Sequence, residues 1–335
     1  MLDQDLKDDI QTAYRRLVEA KSLRPRWGQK VMIAEIANAL SRISHPEEGE
    51  PHIAIEAGTG TGKTIAYAIA AIPVAQRLAK KLVVATATVA LQEQFVFKDL
   101  PDIRKHSGLE FSFALAKGRR RYVCLSKLDK ILQDHEGGVP LPLYPDEVTA
   151  PTQAEAVPMY RDMLSGLAAG TWDGDRDNWD RELQENLWFG VTTDHAQCTG
   201  RRCANISQCA FFKSRDRLHD ADVIVANHDL VLADLGLGGG AILPAPEDTI
   251  YVFDEGHHLP DKALNHFSAF CRLGTTQAWL EDSQELWRSC GNALQEQAEL
   301  TRQLERMGPI AADLVQQIQL VNDYVDPLLK ERDPE

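Results

Sequence analysis

The sequence predicts an α/β fold in which a parallel sheet carries a phosphate-binding loop, with a mainly helical module inserted into it and long helices after it. Three observations predict this. The run Ile53-Ala-Ile-Glu-Ala-Gly-Thr-Gly-Thr-Gly-Lys-Thr64 leads from an alternating apolar stretch through a glycine-rich turn into an apolar helical run, Ile65 to Val74. Short continuous apolar runs then alternate with helical spacings, as strands buried on both faces of a parallel sheet do. That alternation stops at Lys117 and resumes at Ala221.

Taken in order, Leu6, Ile10, Ala13 and Leu17 recur at helical spacing, so residues 5–20 form an amphipathic helix. A second helical pattern, through Met32, Ile33, Ile36, Ala37 and Leu40, follows Pro25, with Gly28 and Gln29 at its entrance. Glutamine is ordinarily a surface residue, yet a planar amide at a helix start has the paired donor and acceptor to read an adenine edge. Ile53 and Ile55 indicate a strand ahead of the glycine-rich turn. Lys81 to Thr88 is a valine-rich run that reads as a buried strand, and Val89 to Phe95 opens a helix with Thr88 as its N-cap. Phe111 to Leu115 is a further strand candidate. From Lys117 to about Asp220 the chain carries helical stretches, prolines at 140, 142, 145, 151 and 158, and tryptophans at 172, 179 and 188. Ala221 to His228 and Ile250 to Glu255 are apolar runs ending in polar residues, as expected of parallel strands that present a site at their carboxyl ends. Beyond Pro260, leucines at 280, 286, 294, 300, 304, 314 and 320 mark long helices. Gly236 to Gly240 reads as a flexible loop. The expected domains are 1–116 with 221–260, an inserted module at 117–220, and a helical segment at 261–335.

A chain of 335 residues is long enough for two to three domains. Its 44% apolar and 26% charged composition is that of a globular, soluble protein. Ile65 to Ala75 is interrupted by Pro73 and too short to span a bilayer, and the acidic start has no signal-peptide character, so no membrane association and a cytoplasmic location are expected. A formal net charge of −14 argues against a protein that coats nucleic acid over its whole surface; any basic groove must be local.

The glycine-rich turn has the chemistry of a triphosphate site. A strand turning abruptly into a helix aims backbone N–H groups at an anion, and side chains there would block its approach. Ala57, Gly58, Thr59, Gly60, Thr61 and Gly62 supply that cradle, Lys63 a point charge for the β and γ phosphates, and the Thr64 hydroxyl a ligand for Mg²⁺. Ala57 stands where the common pattern has glycine. At the end of the run Ile250 to Phe253, Asp254 is placed to hold Mg²⁺ opposite Thr64, and Glu255 to reach the water that attacks the γ phosphate. ATP hydrolysis is the expected chemistry.

Cys124, Cys198, Cys203 and Cys209 form a second constellation. Four residues separate Cys198 from Cys203, and five separate Cys203 from Cys209, unlike the paired C-x-x-C knuckles of zinc ribbons. Four thiolates suit zinc or an iron–sulfur cluster, and unliganded buried cysteines are the third reading. Lys117, Arg119, Arg120, Arg121 and Tyr122 lie just before Cys124, a run of cations beside an aromatic ring that suits a single-strand backbone with base stacking. Arg201, Arg202, Lys213, Arg215 and Arg217 sit around the other three cysteines, so the module gathers positive charge that the whole chain lacks.

Pro25-Arg-x-x-Gln29, Glu56 to Thr64, Thr86 to Gln94, Lys117-Gly-Arg-x-Arg-Tyr-Val-Cys124, Trp172-Asp-Gly-x-Arg-Asp177, the three spaced cysteines, Ala226-Asn-His228 and Asp254-Glu-Gly-His-His258 occur in order. Together they resemble the DinG family of bacterial DNA helicases, superfamily 2 relatives of XPD, over residues 20–260. The resemblance implies a RecA-like motor domain with a [4Fe–4S] module inserted and a helical arch following, and an ATP-dependent helicase moving 5′ to 3′ on single-stranded or forked DNA in repair or replication, with single-strand DNA-binding protein as a candidate partner. By the same likeness Gln29 falls on the adenine-reading position, Lys63 and Thr64 on the phosphate and Mg²⁺ positions, Asp254 and Glu255 on the metal and base positions, the four cysteines on the cluster ligands, and His257 on the residue coupling nucleotide state to DNA. Such helicases close the ATP site with arginine fingers from a Gln-x-x-Gly-Arg-x-x-Arg segment, which does not occur in this sequence. The expectation is therefore an N-terminal motor portion, inactive alone. The alternative function is a metal-stabilised nucleic-acid-binding module that binds ATP without turnover.

Overall fold

The computed structural model describes residues 3–45, 47, 49, 51–58, 60–137, 150–195, 197–268, 272–293 and 298–332. Thr59 and the prolines at 140, 142 and 145 lie outside them. Two compact units divide the chain, residues 1–267 and 268–335.

In the first unit, α1 (Gln4–Ala20), α2 (Trp27–Ser41) and α3 (Lys63–Arg77) precede β1 (Lys81–Thr86). Next come α4 (Val89–Gln94), which runs through one π-helical turn into α5 (Leu100–Ser107), and β2 (Phe113–Leu115). Thr88 caps α4 as its sequence position suggests, its hydroxyl accepting from the Leu91 N–H at 3.3 Å. After the insertion, β3 (Val223–Asn227) and β4 (Thr249–Phe253) return to the sheet.

The four strands are all parallel, in the order β2-β3-β1-β4. Register follows from the alternation of side chains. Leu82, Val84, Val223, Val225 and Ile250 point to one face, packing on residues of α1, α2, α3 and α5. Val83, Ala85, Ile224 and Ala226 point to the other, with Leu218, Leu230 and Val231. Both faces are covered, which is why these strands are continuous apolar runs. The helix α3 passes through Pro73 without ending.

One expected element is absent. Residues 53–57 form no strand; Ile53 is 42% exposed, and only Ile55 packs against the core. Alternating apolar residues provide a strand's faces, but its hydrogen bonds come from a neighbouring strand, and none pairs with this run among the described residues.

The insertion contains α6 (Leu125–Gly137), α7 (Ala150–Ala169), α8 (Glu185–Val191) and α9 (Ala210–Asp220). It has its own core, centred on Leu128, Tyr160, Met163, Trp188 and Val191. Two isolated antiparallel bridges, Tyr122 with Asp175 and Val123 with Thr192, tie its entry to its later segments. The Gly236–Gly240 segment is held rather than loose, because the buried Asp234 carboxylate accepts from the N–H groups of Gly240, Ile242 and Leu243. It follows α10 (His228–Gly236), and α11 (Leu259–Phe267) closes this unit.

The second unit consists of α12 (Leu273–Ala293) and α13 (Ala298–Arg332), which meet through Leu280, Ala311 and Ile318. Long helices are present as expected, but of the leucines that marked them Leu280 is buried while Leu286, Leu300, Leu314 and Leu320 are exposed, and Leu294 lies outside the described residues.

Candidate nucleotide site and cysteine module

The parallel strands all end at one edge of the sheet, and the glycine-rich turn arrives at the same place. Gly60 and Gly62 adopt φ of +73° and +82°. At Gly62 a side chain is excluded twice, by the left-handed backbone and because a Cβ there would overlap the Gln29 amide. The Gly62 carbonyl opens α3 by accepting from Ala66 N–H at 3.1 Å. Lys63 therefore sits at the helix start, its ammonium 3.3 Å from the Ala57 carbonyl and 3.0 Å from Glu255 Oε1.

Asp254 follows β4 directly, its N–H donating to Ala85 O at 2.8 Å. Its carboxylate accepts from Glu255 N–H at 3.1 Å and from the Tyr67 hydroxyl at 3.4 Å. Thr64 lies beside the same Tyr67 hydroxyl, so one phenol neighbours both oxygen ligands. Hydroxyl and carboxylate oxygens are the hard ligands that suit Mg²⁺. Burial, then the neighbouring negative charge of Glu255, raises the Asp254 pKa; the hydrogen bond from Lys63 lowers that of Glu255. Glu255 is a non-glycine residue at positive φ, +53°, which turns its side chain back toward Lys63. His257 Nδ1 lies 3.4 Å from Glu255 Oε2.

Gln29 is 7% exposed. Its Nε2 donates to Gly62 O at 3.0 Å and its Oε1 accepts from the Tyr14 hydroxyl at 2.8 Å.

The sequence reading gave no role to Tyr14, Tyr67 or His228. Tyr67 lies three residues after Thr64, on the same helix face, a signal that was legible. His228 is fully buried after β3, with Nε2 3.2 Å from Ala85 O and 2.9 Å from Asp254 O. Both carbonyls accept, so this nitrogen carries the proton, and the ring ties the ends of β1 and β4 together.

In the inserted module, Cys124, Cys198, Cys203 and Cys209 are free and half-buried. The Cys198 sulfur accepts from Gly200 N–H at 3.4 Å and from Arg119 Nη1 at 2.8 Å, and Cys203 Sγ meets the Ser126 hydroxyl at 3.2 Å. Backbone N–H groups of Lys127 and Ser126 face the Cys124 thiol, which also senses Cys198 and Cys203; burial dominates and raises its pKa. Thiols with N–H groups aimed at them have the chemistry of thiolate ligands to a cluster. Among the described residues, no three His, Cys, Asp or Glu side chains are gathered closely enough to hold a metal ion.

The basic run is largely engaged within the protein. Lys117 pairs with Asp175 and Asp177, and Arg121 with Asp177. Arg119 lies over the Phe211 ring, 4.0 Å from its centroid. Tyr122 is 6% exposed, edge-on to Phe211 with its hydroxyl 2.7 Å from Ser214, so it presents no open face to a base in this structure. Arg120 is different: it pairs with Asp194 at 3.0 Å while its side chain is 64% exposed.

No family model matches the chain. It is 41% identical over 282 residues to the ATP-dependent DNA helicase DinG of Photobacterium profundum, covering 84% of this chain and 40% of that protein. Identity to the ATP-dependent DNA helicase DinG of Escherichia coli is 39% over 259 residues, 77% of this chain and 35% of that one. With the protein of the same name from Salmonella choleraesuis it is 39% over 275 residues, 82% and 37%. The chain spans about two fifths of the length of the curated relatives it matches, and over the matched four fifths of its own length it is DinG-like.

Proposed function

We propose that this chain is the first, RecA-like motor portion of an ATP-dependent DNA helicase that moves 5′ to 3′ on single-stranded DNA and opens forked duplexes. The observation that carries the reading is the convergence of Lys63, Thr64, Asp254 and Glu255 on the mouth of the glycine-rich turn, from opposite ends of the first unit's sequence. That arrangement is a phosphoryl-transfer site, in which positioning and charge do most of the work.

In this mechanism the N–H groups of residues 57–62 and the Lys63 ammonium cradle the phosphates of ATP, displacing Glu255 from Lys63. Thr64 and Asp254 would hold Mg²⁺, which when bound neutralises charge on the β and γ phosphates. Glu255, released, orients water toward the γ phosphate and accepts its proton. Gln29 reads the adenine edge. His257, against Glu255, relays the state of the site toward bound DNA. The arginine-finger pattern is missing from these 335 residues, so transition-state charge is incompletely neutralised and turnover by the chain alone is slow.

Cys124, Cys198, Cys203 and Cys209 would hold a [4Fe–4S] cluster once drawn closer together than they stand in this structure, and the cluster would then supply a link between the module's entry and its later turns. Around it, Arg120 and the exposed Arg201, Arg202, Lys213 and Arg217 contact the strand's phosphates, while Lys117, Arg119, Arg121 and Tyr122 support that surface. Single-strand DNA-binding protein is the expected partner on the same substrate.

The test is iron and acid-labile sulfide analysis on anaerobically purified chain, with ATP hydrolysis measured with and without single-stranded DNA, beside Cys124→Ser. About four iron and four sulfide per chain, lost in the variant, and slow DNA-stimulated hydrolysis are expected. Zinc in place of iron, with ATP bound but never hydrolysed, would support instead the metal-stabilised binding module.

A further inference from the structure

We propose that Tyr14 is a positioning residue that fixes the Gln29 amide in the orientation selecting adenine over guanine, an inference that rests on Gln29 reading the base.

The Gly62 carbonyl only accepts, so the Gln29 group 3.0 Å from it must be the nitrogen. The oxygen then faces the Tyr14 hydroxyl, which donates to it at 2.8 Å. An amide oxygen cannot donate, so the Tyr14 proton points at Gln29. Burial raises the Tyr14 pKa and keeps that proton in place. Tyr14 on α1, Gln29 on α2 and Gly62 at the start of α3 thus form one directed chain of hydrogen bonds.

Neither end of the amide is exhausted by it. Oε1 keeps a second lone pair and Nε2 a second hydrogen. An adenine edge offers an amino donor beside a ring-nitrogen acceptor, which matches that remaining pair. A guanine edge offers a carbonyl oxygen where adenine has the amino group, and it would meet Oε1 acceptor to acceptor. Turning the amide over to suit guanine would set Oε1 against the Gly62 carbonyl, again two acceptors with no proton between them. Gly62 holds one end of the amide and Tyr14 the other, so without the phenol the amide is free to swing from its single remaining anchor.

The test is equilibrium titration of the full chain with ATP and with GTP, each with Mg²⁺, for the parent, Tyr14→Phe, Gln29→Ala and the double variant, alongside thermal unfolding. Tyr14→Phe should weaken ATP binding roughly 3- to 10-fold, the effect of one hydrogen bond, and leave GTP unchanged, so the ATP:GTP preference shrinks by that factor. Gln29→Ala should abolish the preference, and adding Tyr14→Phe to it should change nothing more. If Tyr14→Phe lowers the melting temperature but keeps the full preference, the phenol is a packing group and the positioning role is overturned. If Gln29→Ala itself retains the preference, base reading by Gln29 fails, and the role of Tyr14 fails with it for that separate reason.

Discussion

Lys63 and Glu255 are 192 residues apart in sequence, yet the ammonium of one lies 3.0 Å from the carboxylate of the other. On the roles proposed for them in phosphoryl transfer, the two groups neutralise each other until phosphate arrives. Glu255→Gln keeps the side-chain shape and removes the charge. ATP binding should be retained or become a few-fold tighter, because Lys63 no longer has to leave an ion pair, while hydrolysis falls by about 10²-fold or more with the base lost. Lys63→Ala should lose binding itself. Parallel binding and single-turnover measurements separate the two; equal loss of binding in both variants would refute the division of roles.

Gly62 and Gly58 offer a matched pair in one loop. Gly62→Ala must accommodate a Cβ at φ +82° and against the Gln29 amide, whereas a Cβ on Gly58 meets nothing within 4 Å and needs no positive φ. Gly62→Ala should cost about 1–2 kcal/mol of stability and more than tenfold in nucleotide affinity. Gly58→Ala should leave the melting temperature unchanged. Calorimetric unfolding and nucleotide titration of both variants check the contrast, and an unaffected Gly62→Ala protein would show that the turn relaxes.

Tyr160 gives the inserted module a dependence on alkaline pH. Its hydroxyl is buried, donates to Leu187 O at 2.8 Å, and has its pKa pushed up to about 12 by burial. In the unfolded chain it ionises near 10. Below that value its contribution is fully present. Between the two values the unfolded state has released a proton that the folded state keeps, so stability falls by up to about 1.4 kcal/mol per pH unit. Tyr160→Phe loses about 1 kcal/mol at neutral pH with the hydrogen bond, but is free of this term. The stability gap between parent and variant should therefore close or reverse by pH 11, measured as paired denaturant midpoints at pH 8 and pH 11. A constant gap would refute the assignment.

The strands that hold the site were legible because burial on both faces of a parallel sheet leaves a local signature, as in Leu82 to Ala85 and Val223 to Ala226. The loop was legible because phosphate chemistry restricts residue types at consecutive positions, Gly62, Lys63 and Thr64 above all. What escaped the sequence is what depends on distant partners. Ile53 and Ile55 alternate correctly for a strand but have no ladder to join among the described residues. Gln29 reads as a surface residue and is buried, because Tyr14 on another helix satisfies its oxygen. Lys117, Arg119 and Arg121 read as an open cationic strip, and the aspartates and aromatic rings that engage them lie 50 or more residues later.

Arg119 and Arg120 are adjacent and should behave as opposites. The Arg119 guanidinium rests on Phe211 and reaches the Cys198 sulfur, so Arg119→Ala removes a cation–π contact from the module's interior and should cost about 1–2 kcal/mol. Arg120 keeps 64% of its side chain in solvent beside the half-buried Asp194, and pairs with one partner so exposed contribute little to stability. Arg120→Ala should therefore melt with the parent. On its proposed role its effect should fall on binding: a lost phosphate contact would weaken single-stranded DNA uniformly across sequences and lower the slope of log K against log salt by roughly 0.7. Salt-dependent DNA titrations of both variants, with their melting curves, make the comparison. A destabilised Arg120→Ala protein with an unchanged salt slope would assign both arginines to the module's structure and move the DNA contact to Arg201, Arg202, Lys213 and Arg217.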